Sequence, residues 1–564
     1  MKTNEAVLKT LIEGGINRGF TLPGLGITWS LRAFHERRSE FDVVLARTEQ
    51  CAAVMAQVTG KLTGRPGLFM GQGPFATTTG GFGIMEAYFS SSPMVILTDT
   101  SCYDGFAQYG VYQTMTGDYG AADAVAVLKT MTKFTTYATN PAEAVYGMQL
   151  AMKHAAAPRQ GPAAVVMKSD IILKDLPDNP RAKLYPTEGY LRSTPMHVDR
   201  DAVAQLAELI GKAKNPLIVA GNGIYMSRSG EMLQRLAMRH GIAVASSYHG
   251  KGCIDETTEI AVGMMGTWGS AAANRAVQAA DLVVMLGCSM GAEYTRFRDA
   301  AMIRPGEQTL VQVDIDPRNA GWVYPVDLAI TGDVAEVLAI LDATNIPCPN
   351  RAARVKLLAD IKAQNDYGVL PHIPTLPGTV HYADIMRGLD GFLTPNDLLT
   401  LDAGTNRIWA TTRLPLRTPH QLVAPGGIGG MGWSTPAATA TKLCCPDKRV
   451  TGVIGDGGFV MTMDAIATAA EQNLDVVYVV ANNAGLGMVR DNLGNQKIAV
   501  DFRDHDFAKV AEGLGGSGLT VTSADQMRDA LEEAHRLGGP VVIDVKVDPA
   551  ASHRDCSDYG PLPA

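Results

Sequence analysis

Short, almost purely apolar runs, each followed by a longer stretch with helical spacing, recur along this chain from one end to the other. A run of a few apolar residues without polar alternation suits a strand buried on both faces, and such strands separated by helices build parallel sheets. In the first third the runs are Phe41–Leu45, Gly67–Met70 and Met94–Thr98. They continue as Leu217–Ala220, Leu282–Leu286 and Val311–Ile315, then as Leu398–Leu401, Val450–Ile454, Val476–Val480 and Val541–Val545. Leu173–Val198, rich in proline and charge, reads as a linker, and so does the segment carrying Pro347, Pro349, Pro371, Pro374 and Pro377. The expected fold class is α/β, with three consecutive doubly wound parallel-sheet domains at residues 1–172, 199–343 and 380–547 and a tail at 548–564. No internal sequence repeat links them.

Composition narrows the classes. At about 150 residues per domain, 564 residues make three or four. Hydrophobic residues at 46% and charged residues at 19% are ordinary for a globular chain and argue against disorder and coiled coil. A net charge of −8 without a basic block excludes an electrostatic footprint for nucleic acid. No apolar run approaches the roughly 18 residues needed to span a bilayer, and charges interrupt the N-terminal MKTNEAVLKTLIEGGI, which reads as a helix and not a secretory signal. A soluble, cytoplasmic protein is expected. Eight cysteines, two of them adjacent at 444 and 445, fit neither a disulfide framework nor a zinc site.

The sharpest motif lies in the last third. The run ending at Ile454 leads into Gly455-Asp456-Gly457-Gly458, and the run ending at Val480 leads into Asn482-Asn483. Open parallel sheets bind ligands at the carboxyl ends of their strands, where both clusters fall. Asp456 and Asn483 each offer a hard oxygen of the kind Mg²⁺ takes, and glycines at 457, 458, 485 and 487 let backbone amides approach phosphate oxygens. Magnesium keeps phosphate oxygens among its ligands, so a diphosphate-bearing cofactor is the natural partner. Ordinary strand-end turns would explain a lone Gly-Asp-Gly. They do not explain both clusters, 27 residues apart from Asp456 to Asn483.

That pattern resembles the signature of thiamine diphosphate-dependent enzymes. The resemblance implies that Asp456, Asn483 and the Gly485 carbonyl hold Mg²⁺. The strand-to-helix segment FDVVLARTEQ-CAAVMAQVTGKLTGRPG is similar to the family's strand–Glu–helix segment, implying that Glu49 shares a proton with the cofactor's aminopyrimidine ring. Gly429-Gly430-Met431-Gly432, followed by Ser434-Thr435-Pro436-Ala437-Ala438, resembles the stretch from which an apolar side chain, here Met431, wedges between the two cofactor rings. Asp402-Ala403-Gly404-Thr405-Asn406 matches a loop that touches the diphosphate, and Asn483-Ala484-Gly485-Leu486-Gly487-Met488-Val489 extends the match past the metal. The implied cofactor-binding set is therefore Gly404, Thr405, Asn406, Gly429, Met431, Gly455, Asp456, Gly457, Gly458, Asn483, Gly485, Leu486, Gly487 and Met488.

Over nearly the whole length the order of units, pyrimidine-binding, middle and diphosphate-binding, is similar to that of acetolactate (acetohydroxyacid) synthases. In the middle unit, Gly263–Gly269 and Val313-Asp314-Ile315-Asp316-Pro317 follow that pattern. There the resemblance implies FAD or an ADP-like nucleotide. Gly221-Asn222-Gly223 after its strand suits a nucleotide and a plain strand–helix turn equally. Departures cluster where substrate and flavin would lie. Phe75 replaces a glycine, Thr114 follows Gln113 where the family has an acid, Asn492 stands in place of a tryptophan, and Ser289–Glu293 replaces an arginine-rich flavin run.

Glu49 and Gln113 are the expected catalytic residues, with Gly24, Leu25, Phe75, Tyr112 and Asn492 lining the substrate pocket. The expected activity makes or breaks a C–C bond beside a carbonyl, by decarboxylating a 2-oxo acid and joining the fragment to an acceptor such as an aldehyde. The alternative is a 2-hydroxyacyl-CoA lyase or oxalyl-CoA decarboxylase-like enzyme acting on acyl-CoA thioesters, since Thr48-Glu49-Gln50 with Ala52-Ala53 resembles their segment. The absence of a His-His pair argues against a pyruvate decarboxylase-like site. A nicotinamide-binding fingerprint is incomplete, because no third glycine follows Gly223 at the required spacing. The family places its cofactor between two subunits, so a homodimer or homotetramer is expected. The tail through His553–Tyr559 reads either as a lid or as frayed chain.

Overall fold

The computed structural model describes residues 1–103, 109, 111–177, 183–194 and 196–556. Its chain contacts separate two bodies. One comprises Met1–Thr194, Pro425–Pro446 and Thr462–Leu474, and the other Pro195–Ala424, Asp447–Met461 and Asp475–Ala564. Two segments of the expected third unit are thus part of the first body. Ser557–Tyr559 of the tail lie outside the described residues.

The first body holds a six-stranded parallel sheet: β1 (Arg18–Leu22), β2 (Asp42–Leu45), β3 (Gly67–Gly71), β4 (Met94–Asp99), β5 (Phe134–Ala138) and β6 (Pro162–Met167), in the order β2-β1-β3-β4-β6-β5. The central strands β3, β4 and β6 are buried along their whole length, as their apolar runs require. The helix Thr3–Glu13 sends Val7, Leu8 and Leu11 into this core.

The second body holds two further parallel sheets. One comprises β7 (Pro216–Ala220), β8 (Ala243–Ser246), β9 (Ala261–Met264), β10 (Leu282–Leu286), β11 (Thr309–Asp314) and β12 (Leu328–Thr331), ordered β12-β11-β10-β7-β8-β9. The other comprises β13 (Leu398–Leu401), β14 (Leu422–Val423), β15 (Val450–Gly455), β16 (Val476–Asn482), β17 (Ser517–Val521) and β18 (Pro540–Lys546), ordered β14-β13-β15-β16-β18-β17. Strand for strand this repeats the order of the first sheet, a repeat of architecture with no trace in the sequence.

The chain between Pro349 and Pro371 is not a plain linker. Residues Arg351–Gln364 form a helix. Its Arg354, 2% exposed, donates to the carbonyls of Ile210 (3.0 Å), Ala213 (2.6 Å), Lys214 (3.2 Å) and His240 (2.9 Å). The prolines bracket this helix without interrupting it, so its interior keeps every donor it needs. Residues 548–556 are anchored as well. Trp409 Nε1 donates to the Ser552 carbonyl at 3.0 Å, and Cys556 is buried in the core beside Trp409.

Candidate active site

In the first body, Thr48 caps the helix Glu49–Thr63 by accepting the Cys51 N–H at 3.2 Å, which sets Glu49 as the first helical residue. Glu49 is not the exposed helix-start acid that its position alone would suggest: it is buried, and its Oε2 accepts the Thr79 hydroxyl at 3.0 Å. Thr79 also donates to the Phe75 carbonyl (3.0 Å), so one hydroxyl ties the acid to the short helix Gly73–Thr77. Phe75 itself is 37% exposed.

Gly24, Leu25 and Gln113 converge on a residue the sequence reading passed over, Gln72. The Leu25 N–H donates to Gln72 Oε1 at 3.2 Å, and Gln72 Nε2 donates to Gln113 Oε1 at 3.1 Å. A Cβ at Gly24 would stand 2.3 Å from Gln72 Oε1, so this approach demands glycine. Tyr112, next to Gln113, is exposed.

Gly429 and Met431 lie on a loop of the same body held by a second overlooked residue, Glu86. Fully buried, its carboxylate accepts the main-chain N–H groups of Gly426, Gly427 (2.6 Å), Ile428 (3.0 Å) and Gly429 (3.3 Å). Burial pulls the neighbouring Lys61 down to about 8, against the opposing attraction of Glu86. The signal was one acid in the otherwise uncharged helix Gly81–Phe89. Behind the loop, Trp433 Nε1 donates to Gln57 Oε1 at 3.1 Å, fixing the helix Ser434–Cys444 on the Glu49 helix.

In the second body the expected diphosphate residues gather at the carboxyl ends of the neighbouring strands β13, β15 and β16. Gly404, at φ +117°, turns the chain from β13 into the helix Thr405–Arg413. Asn406 Nδ2 then reaches back to the carbonyls of Asp402 (3.2 Å) and Val453 (3.3 Å), tying the first loop to β15. Asp456 opens the helix Asp456–Thr462 directly, so Gly457 and Gly458 belong to a first helical turn and not to a loop. Its carboxylate accepts the N–H of Gly457 at 2.7 Å and of Gly485 at 3.2 Å. Desolvation raises Asp456 to about 6 against these amide donors, and among the described residues no cationic side chain pairs with it.

The two asparagines divide their work. Asn482 Nδ2 is used up on Asp544 (2.9 Å), Asp504 (2.9 Å) and the His505 carbonyl (3.0 Å). Asn483, 3% exposed, is left beside Gly487, where an added Cβ would lie 2.7 Å from Asn483 Nδ2 and 3.4 Å from Thr405 Oγ1. Glycine at 485 has a reason the sequence did not reveal: its Cβ would lie 2.0 Å from Arg490 Nη2. The buried Arg490 grips the loop, donating to the carbonyls of Asn483 (3.3 Å), Ala484 (3.2 Å) and Pro549 (3.0 Å) and pairing with Asp501 at 2.7 Å. Leu486 and Met488 flank this turn and are partly buried, whereas Asn492, in the last turn of Gly487–Leu493, is exposed.

A buried, unpaired carboxylate, an amide oxygen and main-chain groups on one sheet edge suit a hard divalent ion carrying a diphosphate. The middle sheet offers no equivalent at its switch point. The N–H groups of Gly221 and Gly223 are spent on the carbonyls of Leu286 and Gly287 (both 3.0 Å), and a Cβ at Gly221 would stand 2.2 Å from Gly287 O. Packing between two loops accounts for both glycines, and these amides do not fit a nucleotide phosphate.

Comparison with known proteins agrees with this layout. Residues 1–121 match "Thiamine pyrophosphate enzyme, N-terminal TPP binding domain", residues 203–341 the central domain, and residues 402–545 the C-terminal TPP binding domain. The chain belongs to the thiamine pyrophosphate enzyme family. Within that family its similarity runs to acetolactate synthases. It is 30% identical to the probable acetolactate synthase large subunit of Methanocaldococcus jannaschii, over 98% of this chain and 92% of that protein. It is 29% identical to the acetolactate synthase large subunit of Corynebacterium glutamicum, over 96% and 86%. With the mitochondrial acetolactate synthase catalytic subunit of Saccharomyces cerevisiae the identity is 26%, over 94% and 78%. Among the described residues no helix is long and apolar enough to cross a membrane.

Proposed function

We propose that the chain is a thiamine diphosphate- and Mg²⁺-dependent carboligase that takes a 2-oxo acid as donor and joins the fragment left after loss of carbon dioxide to a carbonyl acceptor. The observation that carries this is the buried Asp456 carboxylate, beside Asn483 at adjacent strand ends, with no cationic side chain paired to it among the described residues.

Asp456, Asn483 and the Gly485 carbonyl would hold Mg²⁺. Gly404–Asn406, Gly455, Gly457, Gly458, Leu486 and Gly487 would bind the diphosphate. When bound, the cofactor supplies an electron sink beside the substrate carbonyl. The chain's own residues bind, orient and move protons. Glu49, held by the Thr79 hydroxyl, would share a proton with the aminopyrimidine ring, and Met431, on the loop gripped by Glu86, would pack against the cofactor. Gln113, Gly24, Leu25, Phe75, Tyr112, Met488 and Asn492 are the residues proposed to face substrate. Phe75 and Asn492 give this chain an acceptor side of its own, set against the acetolactate synthases it resembles. Family resemblance supports a homodimer or a pair of homodimers.

An acyl-CoA substrate gains no support from the relatives named above, which bear the name acetolactate synthase. The test is carbon dioxide release and product mass with pyruvate as donor. Glu49→Gln should lower turnover by roughly 10²–10⁴-fold while the cofactor stays bound. Unchanged turnover would remove Glu49 from the mechanism.

A further inference from the structure

A glutamine in a pocket can present either its oxygen or its NH₂ group, and the two recognise opposite chemistry. For Gln113 the choice is fixed by a relay that begins at a group unable to reverse. The Leu25 main-chain N–H donates to Gln72 Oε1 at 3.2 Å. Gln72 Nε2 must then lie on the other side, where it meets Ser101 Oγ at 3.0 Å and Gln113 Oε1 at 3.1 Å. Gln72 is only 4% exposed. Reversing it would set NH₂ against N–H and leave both donors unmatched. Gln113 therefore turns its oxygen inward and its NH₂ outward.

The relay is braced from behind. Asp99, fully buried, accepts the Ser101 N–H at 2.8 Å and the Ser169 hydroxyl at 2.5 Å through Oδ2, holding Ser101 at φ +52°. Gln113 itself sits at φ +54°, a conformation that surrounding structure must enforce.

We propose that Gln72 is a positioning residue that fixes the polarity of Gln113, so that the substrate group seated there is an oxygen acceptor, either a carboxylate or a carbonyl. That substrate sits at Gln113, and which oxygen it presents there, rest on the carboligase reading; the orientation of the amide does not.

The test labels glutamine side chains with ¹⁵N and follows their amide hydrogen exchange, with Gln72→Met and Gln113→Met identifying the two signals. In the wild type the Gln72 amide should exchange ~100-fold more slowly than that of Gln113. In Gln72→Glu the carboxylate can only accept, so Gln113 should swing its NH₂ inward and its exchange should slow ~10-fold or more. With pyruvate, kcat/KM should fall ~100-fold in Gln72→Glu and ~10-fold in Gln72→Met, mainly through KM, with cofactor affinity unchanged. A Gln113 amide already protected in the wild type, or exchange unaffected by Gln72→Glu, would overturn the proposal. If the wild type consumes no pyruvate, the donor assignment falls while the exchange result still decides the role of Gln72. If Gln72→Glu does not fold, the wild-type ranking and Gln72→Met decide it.

Discussion

Glu86 shows how much one side chain can organise. Four main-chain N–H groups from Gly426–Gly429 converge on its carboxylate. Glu86→Ala would strand those donors in a buried site, and we expect a loss of about 3–5 kcal/mol in urea unfolding together with weaker cofactor binding. A loss below about 1 kcal/mol would show that the loop holds itself. Glu49 came from the resemblance of its strand-to-helix segment to the family's, since its position alone reads as an exposed helix-start acid. Glu86 and Gln72 were not legible, since each acts on main-chain or amide groups distant in sequence, and no local spacing encodes such a contact.

At the scale of elements, the loop Asn483–Gly487 is held from beneath by the helix Gly487–Leu493 and by the tail. Arg490 bonds two carbonyls of the loop and that of Pro549, while Asp491 accepts Ser552 Oγ at 2.6 Å and engages His553 Nδ1 at 2.8 Å. The described part of the tail is therefore a brace for this loop. Arg490→Gln should weaken Mg²⁺ binding by roughly 10–100-fold at saturating cofactor, as loss of a ligand-orienting partner does elsewhere. Unchanged Mg²⁺ affinity by calorimetry would contradict this. In the middle sheet, the loops after β7 and β10 bond each other, so the purified protein should lack visible flavin absorption. A stoichiometric flavin spectrum would show that the nucleotide binds by other groups. Buried strands rich in branched residues, such as β4, β10 and β16, were legible from their apolar runs, whereas the equally buried β6, β8 and β9, whose runs are diluted by alanine or glycine, were not. The edge strands β5, β12 and β17 were not, because solvent on one face admits threonine and tyrosine and blurs the run.

At the scale of the whole molecule, the first and third sheets share one strand order, and the acid Glu49 belongs to one body while the Asp456 cluster belongs to the other. Sequence revealed three α/β units because strand burial leaves an apolar signature. It hid the topology common to the first and third, because a sheet fixes where its strands run and leaves their residues free. The central claim, that Asp456 and its neighbours bind a magnesium diphosphate, is tested most directly by calorimetric titration of thiamine diphosphate with Mg²⁺ present. One cofactor should bind per chain, and binding should disappear without Mg²⁺ or in Asp456→Ala. Equal heat from Asp456→Ala, or none from the wild type, would contradict the account.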